Sequence, residues 1–486
     1  MRKYKIILLV SLSLIFISSC KKDFLNVPPE GHVTPTGYYS TPDRATQLVN
    51  AVYNNLLQWD ESSFSWIGIS SITSDDAKKG SSAGDTGADK NLLDNFTYTS
   101  TDFSASEVWV ANYRGIARAN RALSILPGVA INLKLKHRLI AEAKFLRALY
   151  YWRLVRTFGG VPLIDTIVDP TNQAALNAAN VRATKEAVYN LITRDFSYAA
   201  NSLFIRSDYQ STDLGRATKG AANGYLSKVY MYLKDWQKSY DYSAKVINSG
   251  QYHLAPNYAK IFREAGDNGP GSLFEIQAVG GPVNLGVQGW EVLQGVRGQF
   301  GWGFNTPSQL LEDAYEPGDP RKAATIIFPG DTMWDGTVII SSPPNPRYNK
   351  KAYISRTMET FDGNDWESNK HVHLLRYAEV LLIHAEAANE LGKTSEALQS
   401  LKEVRARVGL PPVTTTDQAA LRLKIWHERR VELGMEGDRF FDLVREGRAA
   451  NVLGPLGFRS PKNDLFPIPQ AQIDISGGTL KQNPGY

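Results

Sequence analysis

Residues 80–84 read Gly-Ser-Ser-Ala-Gly and match the G-x-S-x-G pattern that presents a nucleophilic serine in many hydrolases. The serine of this pattern, here Ser82, acts as a nucleophile only at a tight turn between a strand and a helix. The flanking pairs Lys-Lys and Asp-Thr predict no strand before the motif and no helix after it. We therefore interpret the motif as part of a loop.

The carboxylates and histidines form no specific catalytic or metal-binding pattern. Glycoside hydrolysis needs two carboxylates about 5–10 Å apart, and nothing singles out a pair among the 49 acidic residues. His384 is followed by Glu386 without the H-E-x-x-H spacing of zinc enzymes, and its apolar surroundings favour a core histidine. Residues 362–365 (Asp-Gly-Asn-Asp) match a calcium loop only in part. We expect no enzyme activity, no cofactor and no metal; a structural calcium ion and a glycoside hydrolase remain as alternatives.

Tryptophan is the residue type that points most directly to a ligand, because a flat indole covers the apolar face of a sugar ring. The chain has ten tryptophans. Four lie at apolar positions of helical segments and are predicted to be core residues: Trp109, Trp152, Trp236 and Trp426. Trp59 closes a helical segment and is ambiguous. Five lie in loop-like segments and are predicted to contact ligand, the alternative being that they cover the core: Trp66, Trp290, Trp302, Trp334 and Trp366.

The elements that must position these residues are mostly helices. Residues 219–250 and 374–409 each contain two apolar stripes at helical spacing, separated by a short turn and ended by glycine. Such a hairpin must stack on neighbours to bury both faces, as tetratricopeptide-type repeats do. Further helices are predicted at residues 41–59, 104–126, 135–158, 184–203 (with Thr184 as N-cap), 417–433 and 439–445.

Two stretches interrupt the helical pattern. Residues 60–100 are polar and rich in Gly and Ser, and we interpret them as a long loop. Residues 252–370 are rich in Gly and Pro and contain short β-like runs at 272–279, 325–328 and 338–340. The predicted fold is therefore mostly α, with a tetratricopeptide-like hairpin scaffold and a long irregular insertion. We expect a single domain, residues 41–486, comprising a helical scaffold (41–251 and 371–450), the insertion and a tail (451–486).

The N-terminus predicts export and lipid attachment. Residues 1–5 are basic, and residues 6–17 form an apolar run that is shorter than the ~20 residues needed to span a bilayer. The run ends at Ile-Ser-Ser-Cys20, which resembles a bacterial lipobox, and Cys20 is the only cysteine in the chain. We predict a signal peptide (1–19), a lipidated Cys20 and a tether (20–40) rich in Pro and Gly; an ordinary cleaved signal with an incidental cysteine is the alternative.

The net charge gives no support for nucleic-acid binding. The whole chain carries +5, and removal of Arg2, Lys3 and Lys5 with the signal peptide leaves 5 − 3 = +2. Nucleic-acid binding requires a concentrated basic face. The charged residues between 428 and 442 alternate in sign at spacings of about one helical turn, which favours a structural ion-pair network over a partner surface.

Several motifs together resemble one family, SusD/RagB, the surface lipoproteins of Bacteroidetes-type bacteria. They are the lipobox followed by KDFL, WVANYRGIARAN (109–120), AEAKFLRALYYWRLVRTFGGVP (141–162), RYAEVLLIHAE (376–386), HERRVELGMEGDRFFDL (427–443) and the closing segment with QNPGY (466–486). Their number, order and spacing carry the resemblance. It implies a surface-exposed, lipid-anchored location on the outer membrane, and a SusC-like TonB-dependent transporter as partner, which the protein would cap as a hinged lid.

The resemblance also implies that loops on the helical scaffold bind a nutrient, usually an oligosaccharide. Ligand contacts in the family come from the loop after the first helix and from the insertion, where this chain has its unassigned tryptophans. The polar groups expected beside them are Asp75, Asp76, Asp85, Arg297, Gln299 and Asn364. For Asp75 and Asp76 the alternative is that they cap a turn. Some relatives take up peptides, so a peptide-capturing lipoprotein remains an alternative function.

Overall fold

The computed structural model describes residues 34–82, 84–281 and 283–486. Helices dominate it, which confirms the predicted mostly α fold class. Ten helices are used below: α1 Pro42–Asn54, α2 Phe103–Ile125, α3 Leu133–Phe158, α4 Lys185–Ser202, α5 Lys219–Tyr232, α6 Trp236–Ile247, α7 Tyr377–Glu390, α8 Thr394–Arg407, α9 Gln418–Glu432 and α10 Arg439–Arg445. The helix α1 ends at Asn54, five residues before the predicted end; the other predicted single helices agree within two residues.

Polar side chains begin several of these helices by satisfying backbone N–H groups that have no partner within the helix. The Thr184 side chain accepts a hydrogen bond from Ala187 N, which confirms it as the N-cap of α4. Asn132 caps α3, Thr218 caps α5 and Asp417 caps α9 in the same way. The helix boundaries therefore follow from local sequence.

The two predicted hairpins, α5–α6 and α7–α8, pack directly against each other although the insertion separates them in sequence. Ser243 on α6 hydrogen-bonds His384 on α7 at 2.9 Å, and the Tyr240 ring stacks on the same imidazole. His384 is buried, which confirms it as a core histidine. Gly250 and Gly409 have positive φ at the hairpin ends, as the sequence predicts. The repeats thus form one continuous stack.

The strands form three antiparallel pairs. They are β1 Ala77–Gly80 with β3 Phe304–Pro307, β2 Ser272–Ile276 with β6 Val372–Arg376, and β4 Ile326–Ile327 with β5 Tyr348–Asn349. The predicted run at 338–340 contributes an isolated bridge between Thr332 and Val338 instead of a strand. The pair β1–β3 joins the segment after α1 to the insertion, and the pair β2–β6 joins the two ends of the insertion.

Residues 60–100 are not a long loop, and that prediction is wrong. Short helices occupy Trp59–Ser62, Phe64–Ile67 and Ala88–Asp94, and a π-helical turn occupies Gly68–Ile72. Most side chains between 61 and 81 are buried. Their polar atoms are satisfied by distant parts of the chain: Ser63 Oγ donates to Gln288 O at 2.6 Å and Ser71 Oγ to Asn305 Oδ1 at 2.8 Å. These hydrogen-bond partners come from distant parts of the chain, so the polar side chains of this segment can be buried.

The charged residues between 428 and 442 form the predicted structural ion-pair network, but their partners are tertiary rather than one turn away. Arg429 is buried and bonds Glu379 on α7 at 2.7 Å and Asp442 on α10 at 2.7 Å. Arg321, from the insertion, bonds Glu428 at 2.6 Å. These contacts tie α9 to its neighbours, and each buried charge depends on its partners.

The predicted signal peptide, Cys20 and the tether up to residue 33 lie outside the described residues. Residues 34–40, assigned to the tether, contain a short exposed helix, Pro35–Tyr38, with Thr34 as its N-cap. Among the residues that the structure describes, no helix is both long enough and apolar enough to cross a bilayer.

Candidate functional site

Three indoles meet at the protein surface, and we call them the tryptophan shelf: Trp59, Trp302 and Trp366. Trp59 and Trp366 stack with ring centroids 5.0 Å apart and 20° between their planes. Trp302 lies 6.1 Å from each of them, inclined at 65° to Trp59 and 45° to Trp366. Trp302 and Trp366 are each 38% exposed. The shelf therefore offers a curved aromatic surface to solvent.

Backbone hydrogen bonds hold each tryptophan in place. Trp302 N donates to Val292 O at 2.7 Å, and Trp59 N donates to the Gln288 side chain at 3.1 Å. The Trp366 carbonyl accepts from Gly289 N at 2.7 Å. Residues 288–292 are thus the structural link between the three indoles.

Position 289, directly behind the tryptophan shelf, requires a glycine. Its φ is +68°, and a Cβ added there would lie 2.5 Å from a ring atom of Trp59 and 2.9 Å from a ring atom of Trp366. A side chain at this position would overlap both rings. The absence of a side chain lets two indoles from distant segments stack over the backbone.

Two of the predicted polar residues lie beside the shelf and bond its loops. Arg297 donates from Nη1 to Trp302 O at 3.0 Å and to Ser81 Oγ at 2.7 Å. Asn364 accepts from Trp366 N at 2.9 Å and donates to Asn284 Oδ1 at 3.3 Å. Both side chains are only partly buried, so they position the shelf and also flank it. The predicted Gln299 bonds the backbone of residues 338 and 340 instead.

Asp75 and Asp76 are buried ion-pair residues, and the prediction that they bind ligand is not supported by their surroundings. Each is 2% exposed. Arg439 Nε lies 2.7 Å from Asp75, and Arg430 Nε lies 2.7 Å from Asp76. Burial would raise the pKa of Asp75, but hydrogen bonding and charge from Arg439, with the charge of Arg430, hold the pKa below its usual value. Their carboxylates join the segment after α1 to α9 and α10.

Asp85, also predicted to be near a ligand, accepts a hydrogen bond from Lys79 Nζ at 2.8 Å. The same carboxylate accepts from the N–H of Ser82 at 3.0 Å. A strand, β1, does precede Ser82, contrary to the sequence prediction, but the next helix begins only at Ala88. The motif therefore lacks the immediate strand–turn–helix junction of a hydrolase elbow, and Asp85 holds its loop closed.

Three of the predicted tryptophans are partly buried and pack against apolar clusters away from the shelf. The Trp66 ring stacks on Phe441 at 6.0 Å, with the Arg153 guanidinium 4.6 Å from its centre. Trp66 and Trp290 line a cavity of about 60 Å³, far below the roughly 300–1,000 Å³ of typical ligand pockets. Trp334 packs on an apolar cluster of the insertion, with Arg263 4.2 Å from its ring centre. None of the three belongs to the shelf.

Sequence reasoning missed two features. The first is Trp59, which is ambiguous in the sequence because it closes a predicted helical segment; only its contact with Trp366 places it in the shelf. The second is a constellation on and directly before β2 and β6: Asp267, Glu275, His371 and His373, which we call the His–carboxylate cluster. The signal that was available was the His-Val-His alternation at 371–373, which places two imidazoles on one face of a strand.

The fold and the shelf together define a class: an α-helical binding protein whose exposed aromatic site is built by segments between the helices. The SusD family model matches residues 301–486, and the model described as "Starch-binding associating with outer membrane" matches residues 23–231. The chain belongs to the SusD family of glycan-binding, outer-membrane-associated proteins, in agreement with the resemblance found in the sequence.

The relatives cover the chain along its whole length. The SusD-like protein P2 of Formosa agariphila is 27% identical over 531 residues, spanning 100% of both chains. A solved structure titled "Laminarin binding SusD-like protein" is 30% identical, with a TM-score of 0.78 over 91% of this chain and 99% of that one. The surface glycan-binding protein A of Bacteroides thetaiotaomicron, solved with laminarihexaose, shares the fold at 24% identity, with a TM-score of 0.75 over 91% of this chain and 99% of that one.

Proposed function

We propose that this protein is a non-catalytic glycan-binding lipoprotein of the cell surface that captures an oligosaccharide on the tryptophan shelf. The observation that carries the proposal is the meeting of three indoles, two of them 38% exposed, at the protein surface. Exposed aromatic clusters of this kind mark binding sites, because leaving them in water is unfavourable. Sugar rings present the apolar faces that such a surface accommodates.

We further propose a β-glucan of the laminarin type as ligand. The Trp302 ring is inclined at 65° and 45° to the two stacked rings, so the shelf suits a curved chain better than a flat one. The relative at 30% identity is titled as laminarin-binding. Arg297 and Asn364, which border the shelf, supply donors and acceptors for sugar hydroxyls.

The carboxylates around the shelf favour binding without hydrolysis. Asp60, next to Trp59, is paired with Arg114 at 2.6 Å, and Asp365, next to Trp366, is paired with Arg356. Glu291 is buried and accepts a hydrogen bond from Ser368 Oγ at 2.6 Å. A glycosidase needs two carboxylates that reach the scissile bond from opposite sides, and these three are held by partners within the protein.

The test is a titration of the purified protein with laminarin oligosaccharides by isothermal calorimetry, comparing the parent with Trp366→Ala. Removing an anchoring aromatic at a binding hot spot typically costs about 2 kcal/mol, or roughly 30-fold in Kd. Trp426→Ala is the matched control, because this half-buried tryptophan lies on α9 and donates to Glu386 on α7; it should retain the parent affinity. Equal affinities of parent and Trp366→Ala for every glycan bound would refute the site. Release of shorter sugars during incubation would refute the non-catalytic assignment.

The delivery partner we propose is a SusC-like TonB-dependent transporter in the outer membrane, with this protein anchored through Cys20 and acting as its lid. Membership of a family described as associating with the outer membrane supports this proposal. Purification from detergent-solubilised native membranes tests it: a transporter of outer-membrane type should co-purify at equal stoichiometry. A Cys20→Ser variant should be released from the membrane fraction. Recovery of the native protein without a transporter would contradict the proposed partner. Retention of the Cys20→Ser variant in membranes would contradict the proposed lipid anchor.

A further inference from the structure

The β2–β6 strand pair carries a compact group of potential metal ligands, which the glycan site does not use. Glu275 on β2 lies directly across from His373 on β6. His371 lies just before β6, two residues before His373, and both imidazoles contact the Glu275 carboxylate. Asp267, in the loop before β2, completes the His–carboxylate cluster. The ligand atoms of Asp267, Glu275 and His371 all lie within 4.8 Å of one another.

The distances within the cluster are short and involve both carboxylate oxygens of Glu275. His371 Nδ1 lies 3.0 Å from Glu275 Oε2 and 3.8 Å from Asp267 Oδ2. His373 Nδ1 lies 3.1 Å from Glu275 Oε1. A tetrahedral ion with ligands at about 2.0–2.2 Å separates neighbouring ligand atoms by roughly 3.3–3.6 Å. Small side-chain adjustments would therefore bring the ligand atoms of Asp267, Glu275 and His371 around one ion, and His373 Nδ1 contacts the same Glu275 carboxylate.

The second observation is an unpartnered pair of atoms facing the cluster. His373 Nε2 lies 3.0 Å from Ile261 O, and because a carbonyl only accepts, this nitrogen carries the hydrogen. In the neutral imidazole, His373 Nδ1 then presents a lone pair to Glu275 Oε1, 3.1 Å away, and neither buried atom has a hydrogen-bond donor. A metal ion would satisfy both. A histidine whose other nitrogen donates to a backbone carbonyl is the usual arrangement of a metal ligand.

We propose that Asp267, Glu275, His371 and His373 form a binding site for a divalent transition-metal ion of the zinc type. Two imidazole nitrogens with two carboxylate oxygens suit zinc, whereas calcium and magnesium prefer oxygen ligands alone. The two carboxylates balance the charge of the ion. The nearest cation in sequence is occupied elsewhere, since Lys370 Nζ donates to Phe262 O and to Tyr353 O.

The position of the site gives it a structural role. Asp267 and Glu275 belong to the first part of the insertion, while His371 and His373 follow its end, in and just before β6, which leads into α7. A bound ion would therefore fasten both ends of the insertion to the helical stack. The Asp267 and His371 side chains are 13% and 12% exposed, so the ion can enter from solvent.

The experiment is a zinc titration of the purified protein after treatment with EDTA, followed by calorimetry and by thermal melting. We expect one tight zinc site per chain and a melting temperature that rises with ZnCl₂ but not with CaCl₂ or MgCl₂. His371→Gln should weaken zinc binding at least about tenfold, and Asp267→Asn, at a more exposed position, provides a second variant if the first does not fold. His253→Gln, at an exposed histidine outside the cluster, should bind zinc like the parent.

Two results would overturn the proposal. One is zinc binding to His371→Gln and Asp267→Asn with the parent affinity. The other is a melting temperature that does not change with zinc and changes only with pH. The imidazoles would then be protonated partners of the carboxylates and not metal ligands. The site is independent of glycan binding: Trp366→Ala should bind zinc like the parent whether or not it loses laminarin.

Discussion

The indoles of Trp59 and Trp366 stack at 5.0 Å across the backbone of Gly289, although one follows the first long helix and the other lies at the far end of the insertion. Each ring packs against the other, so a change in either segment would disturb both tryptophans. The binding surface therefore depends on contacts between segments that are distant in sequence.

Gly289→Ala should damage the shelf without touching a ligand. The new Cβ would meet both indoles and would also occupy positive φ, which costs about 1–2 kcal/mol for a residue with a side chain. We expect laminarin binding to weaken at least about tenfold. Gly318→Ala is the matched control, because Gly318 has φ +82° with open space around it. It should lose similar stability but keep the parent affinity in calorimetry; equal affinities of the two variants would contradict the role of Gly289.

Substitutions in the tryptophan shelf and at Trp66 should have different effects, the first on glycan binding and the second on stability. Trp302→Ala should lose about 2 kcal/mol of glycan-binding free energy with little change in the urea midpoint. Trp66→Ala should instead lose about 3–5 kcal/mol of unfolding free energy, because its ring packs between Phe441 and Arg153. The folded Trp66→Ala protein should bind laminarin like the parent. Weaker binding by Trp66→Ala at full folding would show that the ligand reaches beyond the shelf.

The helical scaffold could be predicted because its signals are local. The apolar stripes of α5 to α8, their end glycines and the Thr184 cap depend on residues within a few turns, and the structure has the helices there. Residues 60–80 could not be predicted in the same way. Their serines and threonines are buried because partners such as Gln288 and Asn305 come from the insertion.

The site was predictable only in part. Tryptophans in loop-like segments are predicted to contact ligand. The structure places Trp302 and Trp366 in the exposed shelf, whereas Trp66, Trp290 and Trp334 are partly buried against apolar clusters. Asp75 shows why the sequence alone does not identify the site residues. Its role depends on Arg430 and Arg439, more than 350 residues further along the chain, and no local pattern reports that pairing.

Asp75→Asn should therefore act on stability and not on glycan binding. The substitution keeps the side-chain shape but leaves the charges of Arg439 and Arg430 without one carboxylate, and breaking a buried ion pair costs about 3–5 kcal/mol. Urea unfolding monitored by circular dichroism measures the loss. Asp474→Asn, an exposed control that bonds only Gln470, should change stability by less than about 1 kcal/mol. If the folded Asp75→Asn protein bound laminarin more weakly than the parent, Asp75 would be part of the binding site.

The buried ion-pair network predicts a loss of stability in acid. Burial alone would raise the pKa of Glu432, but the charges of Arg407, Arg376 and Arg321 outweigh it and hold the pKa well below the usual 4.5. Because the folded pKa is lower than the unfolded one, this stabilisation is present above pH 4.5 and is lost as the pH falls below it. Asp438, held low by Lys228, Arg156 and Arg429 against burial, acts in the same direction.

Each unit by which a folded pKa is depressed contributes about 1.4 kcal/mol, so the unfolding free energy should fall steeply between about pH 5 and pH 3. Urea midpoints across this range measure it. Glu432→Gln is the informative variant: it should be less stable than the parent at neutral pH, because three arginines lose their shared carboxylate, and its stability should fall less in acid. Two outcomes would show that Glu432 is not charged in the folded protein: a parent urea midpoint that stays constant down to about pH 3, or a variant whose stability falls with pH as steeply as that of the parent. The three arginines would then need another source of negative charge.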